Sequence, residues 1–252
     1  MGAGGSRVVV AGMPLETRWF GPGPGAAPTI LMLHDRLDSA ASWTGFPEAL
    51  ARASGCGVLA YTRAGYGTST PVVEASSIDL LEQEATSVLP GVLAAVGFRR
   101  GILLAHGEGA AIAIIYAGGV QDHRVRGLAL LAPGVFVEEA PGVERSAGRA
   151  WDVRDQVGYV RVPILAIRGT RDERSTEAQI QVLEEEAYCP VDVVRLEQAG
   201  HALHQDRPEE TLAAVTLFVR RLMESHEEAK ASSSVEADVA ANEPAEGARH
   251  GD

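Results

Sequence analysis

The chain has 252 residues, 46% of them hydrophobic, and a formal net charge of −12. That is enough apolar material for one domain with a large buried core, and the acidic balance argues against nucleic acid or an anionic membrane as partner, since both repel it. Cys56 and Cys189 are too few for a disulfide framework, and no apolar run approaches the ~18 residues of a membrane span, so a cytoplasmic protein is expected.

Strand and helix signals alternate along the chain. Arg7–Val10 and Leu15–Phe20 read as opening strands parted by Gly12 and Pro14, and Gly21 to Gly25 is a Gly/Pro turn that enters no helix and so is no phosphate loop. Thr29–Leu33 is a short apolar strand, Trp43–Ala53 has helical spacing, and Val58–Tyr61 is a strand. Ile78–Val96 predicts one long amphipathic helix that Pro90 kinks or divides. Ile102–Ala105, Leu128–Ala132, Ile164–Gly169 and Val191–Leu196 are further strands, Thr176–Tyr188 is helical, and Pro208–Met223 is a closing helix with proline in its first turn. Short apolar strands alternating with helices imply an α/β fold, a mostly parallel doubly wound sheet covered on both faces. Residues 224–252 carry eight acids and two bases in an Ala/Glu/Ser-rich context, a composition that reads as a disordered acidic tail.

Loops after strand carboxyl ends carry the functional groups of such sheets. Four here hold recognisable chemistry: His34-Asp35-Arg36-Leu37-Asp38-Ser39, Arg63 to Ser69, Gly169-Thr170-Arg171-Asp172, and Gly200-His201-Ala202-Leu203-His204. A fifth segment, Gly101 to Ala113, runs from an apolar strand through a sharp turn at His106-Gly107-Glu108 into a helix of small residues. Asp172 can equally cap the helix that follows it, and His201 can be a plain loop histidine. His204 reads as a surface side chain, and His201, His204 and Asp206 complete no zinc site of known spacing, so neither metal nor other cofactor is expected.

These motifs, in this order, resemble the α/β-hydrolase superfamily over roughly residues 7 to 223, closest to small bacterial members whose oxyanion loop reads His-Glu-Gly-Leu-Gly-Ser. The resemblance implies that Asp172 matches the triad acid, His201 the general base and Gly107 the nucleophile position. It also implies an oxyanion site built from the Glu108 amide and the His34–Leu37 loop, with Arg36 and Leu37 in it. The chain departs from the pattern three times. Gly107 stands where the nucleophilic serine belongs, and losing such a group costs about a millionfold in turnover. Arg36 and Asp38 replace oxyanion-loop glycines; a salt bridge from Arg36 to a local acid is its ordinary reading. Residues 134–162 leave room only for a reduced cap. The expected organisation is a hydrolase-like domain over 1–223 and the tail over 224–252. The expected function is a protein of serine-hydrolase ancestry, for an ester or carbon–carbon bond, with weak or no serine-type hydrolysis and a small-molecule ligand or substrate. The alternative is a serine-independent hydrolase or lyase in which Asp172–His201 acts as general base.

Overall fold

The structure, a computed structural model, describes residues 6–71, 78–138 and 151–223. Eight strands form one sheet: β1 Ser6–Val10, β2 Met13–Phe20, β3 Thr29–Leu33, β4 Gly57–Tyr61, β5 Gly101–His106, β6 Val125–Leu131, β7 Ile164–Gly169 and β8 Val191–Leu196. Their order is β1-β2-β4-β3-β5-β6-β7-β8. Strands β3 to β8 run parallel, and β1 and β2 add an antiparallel edge. The hairpin between β1 and β2 turns through Ala11 and Gly12, both at positive φ, the twist that two-residue hairpins need.

The inner strands are apolar on both faces because helices cover both. Leu31, Leu33, Leu59 and Leu103 face one core, shared with Leu81, Leu89, Ile112 and Ile180. Their sequence neighbours Ile30, Met32, Val58 and Leu104 face the other, with Leu50, Phe218 and Val219. The first core lies under α2 Ile78–Gln83, α3 Leu89–Ala95, α4 Glu108–Ile115, α5 Arg154–Val157 and α6 Glu177–Glu186. The second lies under α1 Phe46–Ser54, α7 Leu203–Asp206 and the closing helix over 208–223. Cys56 and Cys189 form no disulfide.

The long helix expected over 78–96 is divided, and the division precedes Pro90. A π-helical turn, Glu84–Val88, joins α2 to α3. Pro90 has no N–H for the Thr86 carbonyl and its ring crowds that carbonyl, so the helix widens there. Strand β6 starts at Val125 rather than Leu128 and ends before Ala132, which turns out of the sheet at φ 45. In the segment expected to form a reduced cap, the described residues hold one antiparallel bridge, Phe136 to Asp152, and α5. The remainder of that segment, 139–150, and the expected tail over 224–252 lie outside the described residues.

The sheet order reverses at β3. From β3 the chain steps to β4 on one side and later to β5 on the other. Ligand crevices of open α/β sheets form at such a reversal, beyond the carboxyl ends of the strands. Because Leu33 pairs with Ala105, the loops that follow β3 and β5 are brought together there.

Candidate functional site

At the end of β5 the chain reverses into α4 through Gly107, at φ 54 and ψ −121. Only glycine adopts such dihedrals freely. The turn is held by backbone bonds: the Gly107 amide donates to the Leu131 carbonyl (3.1 Å), and the Gly107 carbonyl accepts from Ala110 and Gly134 (both 3.0 Å). The elbow is thus fully formed, with no side chain at its apex.

The space above the apex is occupied. A Cβ on residue 107 would sit 2.1 Å from Asp35 Oδ1 and 2.3 Å from Asp35 Cγ. Asp35 comes from the loop after β3 and is 3% exposed. Its Oδ1 accepts the Glu108 amide at 2.8 Å, the donor that the resemblance assigns to an oxyanion. Its Oδ2 accepts from Arg174 at 2.9 Å and from His201 Nε2 at 3.2 Å. The loop is fixed from behind by His34, whose Nδ1–H donates to the Asp35 carbonyl (2.7 Å) while its Nε2 accepts the Arg63 amide (3.0 Å). Burial pulls His34 down to about 3, with Arg63 adding to the effect, so this ring is neutral and its tautomer is set by those two bonds.

Asp172 and His201 meet as their spacing implied. Asp172 Oδ2 accepts from His201 Nδ1 at 2.8 Å. Its Oδ1 accepts the Arg174 and Ser175 amides, so the same side chain also organises the turn ahead of α6; the helix cap itself is Thr176. His201 therefore lies between two carboxylates and donates from both ring nitrogens. Burial pulls its pKa down, but the hydrogen bonds to Asp172 and Asp35 and their charges prevail and hold it at about 9. Burial likewise opposes ionisation of Asp35, and the bonds from His201 and the Glu108 amide, with nearby His106, overcome it and keep the carboxyl well below its usual range. The resting arrangement is an imidazolium clasped by two carboxylates.

The elbow is braced from below by a buried ion pair, Arg63 to Glu108 at 2.9 Å. Glu108 thus contributes its amide to the site and its side chain to the support. His106 is packed, as expected of an elbow residue, and its Nε2–H donates to the His201 carbonyl at 3.0 Å. His204 corrects the expectation of a surface side chain: it is 4% exposed and stacks among Trp43, Phe46 and His106. The short helix α7 turns it inward against the second core, and burial, aided by His106, pushes it down to about 4.

A cavity of about 540 Å³ opens over this arrangement, lined by Asp35, Gly107, Arg36, Phe136, Trp151 and His201 among others. Arg36 reaches this wall but makes no salt bridge among the described residues, contrary to its ordinary reading. Leu37 does not join this cavity; it is 78% exposed at φ 66 and borders a second one. The loop expected to add an oxyanion donor turns a carboxylate to the Glu108 amide instead. Asp35, Asp38 and His106 bring ligand atoms within 4.8 Å of one another. Asp35 already accepts from three donors, two of them the side chains of Arg174 and His201, so a cation there would compete with those groups for the carboxylate.

Asp35 is one of two loop acids, with Asp38, expected from the sequence to disfavour a nearby anion; its seat above Gly107 is what the sequence did not show. Its signal was indirect: an elbow without a side chain leaves a void, and close-packed interiors fill voids.

No protein-family model matches the chain, and no curated protein matches it by sequence. Solved structures do. The enol-lactonase from Burkholderia xenovorans LB400 superposes with a TM-score of 0.73 at 20% identity, over 85% of this chain and 100% of that one. A bromoperoxidase from Bacillus anthracis gives 0.74 at 15% identity over 85% and 100%. A thermophilic esterase from Thermogutta terrifontis gives 0.71 at 17% identity over 87% and 99%. The chain has the α/β-hydrolase fold. Among the described residues no helix is long and apolar enough to cross a membrane.

Proposed function

We propose that this protein performs no serine-type hydrolysis and that its cavity receives a small molecule without covalent attack from the elbow. The observation that carries this reading is Asp35: its carboxylate stands in the direction a residue-107 side chain would take and holds the Glu108 amide. An acyl substrate would find no attacking hydroxyl at the elbow, and the Glu108 amide is already taken by Asp35. Removing a single oxyanion donor from a working site costs about 10²–10³ in turnover, and here the nucleophile is missing as well. A protonated His201 gives no general base at neutral pH.

The experiment is turnover of p-nitrophenyl acetate and butyrate together with labelling by a fluorophosphonate probe. Neither signal is expected above that of His201→Ala. Hydrolysis at pH 7 that disappears in His201→Ala would overturn the reading.

One observation favours a second reading, general-base chemistry without serine: Asp172 and His201 keep hydrogen-bond geometry on the cavity wall. That chemistry needs neutral imidazole, so its rate would rise with pH through about 9 and vanish in Asp172→Asn. A rate that is flat and at background from pH 6 to 10 rules it out.

A further inference from the structure

A second cavity, of about 370 Å³, lies behind the wall formed by Arg36 and Glu108, which line both cavities. Its volume is within the ~300–1,000 Å³ of small-molecule pockets. One end is aliphatic, with Met13, Leu81 and Val88 in the wall and the exposed Leu37 at its edge. The other end holds Arg36, Arg63 and Tyr66.

The charged groups at that end are unequally paired. Arg63 is buried, stacks on the Tyr66 ring at 4.8 Å and pairs with Glu108, but its Nε has no hydrogen-bond partner among the described residues. Arg36 makes no hydrogen bond or ion pair among them. Glu84, on the same wall, accepts the Tyr61 hydroxyl, and burial pushes it toward its neutral form against the pull of Arg63 and Tyr61. Arg63 is thus committed to Glu108, with Glu84 nearby, while Arg36 on the same wall has no partner among the described residues.

We infer that this second cavity binds an aliphatic monocarboxylate of medium chain length, with its head group at Arg36 and Arg63 and its chain along Met13, Leu81 and Val88. Arg36, which has no partner among the described residues, can take one anionic head group; a phosphate dianion would bring a second negative charge beside Glu84 and Glu108. The planar fork of arginine matches a carboxylate. The wall offers aliphatic side chains, and its one aromatic ring is already covered by Arg63. A bound chain would also cover Leu37. The inference is independent of what the elbow does, because it uses no atom of Asp35, Gly107 or His201.

Isothermal titration of the full chain with sodium octanoate tests it. Saturable one-to-one binding is expected, weakened at least tenfold in Arg36→Gln and less in Arg36→Lys, which keeps the charge but loses the fork. Trp151→Ala, in the first cavity only, should leave the affinity unchanged. Acetate, inorganic phosphate and octylamine should each bind at least tenfold more weakly. Absence of saturable octanoate binding, equal affinity in Arg36→Gln, or acetate or phosphate matching octanoate would overturn the inference.

Discussion

The two sides of the crevice present different groups to it. On the β7 and β8 side, Asp172 and His201 keep the distances and burial of an acid–imidazole pair. On the β3 and β5 side, the side chain at residue 107 is absent and a carboxylate from the neighbouring loop fills its place. The β7 and β8 side sets the imidazole of His201 against Asp172, and the β3 and β5 side adds Asp35 as a second carboxylate on the same ring.

Gly107→Ser breaks this comparison most sharply. Alone it should give no fluorophosphonate labelling, because the new side chain collides with Asp35, and it should destabilise by about 1–3 kcal/mol through the backbone and a similar amount through overpacking. Gly107→Ser with Asp35→Gly should label and recover stability relative to the single variant. Urea melts and gel labelling of the four combinations check the coupling; labelling of Gly107→Ser alone would mean that Asp35 yields its place easily.

Next in size is the brace beneath the elbow. Arg63→Met removes the arginine of a buried ion pair with Glu108, and should lower unfolding free energy by about 3–5 kcal/mol in chemical denaturation. A loss below ~1 kcal/mol would mean that water reaches Glu108 and the elbow is not held from below.

The third prediction concerns pH. The His201 imidazole titrates at 6.5 unperturbed and at about 9 when folded. Its clasp therefore stabilises fully below about pH 6.5 and is lost as pH rises through about 9, a span worth roughly 3 kcal/mol at ~1.4 kcal/mol per pH unit. Asp35 and Asp172 run the other way: both are held below their ordinary 3.8, so their contribution is present above that pH and lost on acidification. These are the same contacts seen from the other partner and are not added to the His201 figure. Asp35→Asn should return the imidazole toward its ordinary pKa and flatten the alkaline decline, followed by histidine NMR and melts from pH 6 to 10. An unchanged His201 titration would show that Asp172 alone sets it.

Arg174 should matter least. Its side chain is 64% exposed although it binds buried Asp35, so Arg174→Ala should cost about 0–1 kcal/mol in thermal melts. A larger loss would make Arg174 part of the clasp rather than its rim.

Much of the architecture was legible because it rests on local rules. Runs such as Thr29–Leu33 and Ile164–Gly169 are too apolar to be anything but buried strands, and the small residues after Gly107 suit a helix pressed against the sheet, where a Cβ at Gly109 would meet the Leu33 carbonyl at 2.7 Å. The meeting of Asp172 with His201 was legible through motif order. Less local features escaped: the widened turn before Pro90, and the inward His204, whose position depends on Trp43 from a distant loop.

What the sequence determined by itself was the sheet, the sharp turn after β5 and the glycine at its apex, because backbone periodicity and the identity of one residue suffice for them. What only the tertiary structure decided was what occupies the space above that glycine. Asp35 is 72 residues from Gly107 in the chain, and the sequence places it in the loop after β3 without showing that it reaches Gly107. The parallel pairing of β3 with β5 sets the two loops side by side, and a buried carboxylate then settles where an amide, a guanidinium and an imidazolium can all be satisfied at once.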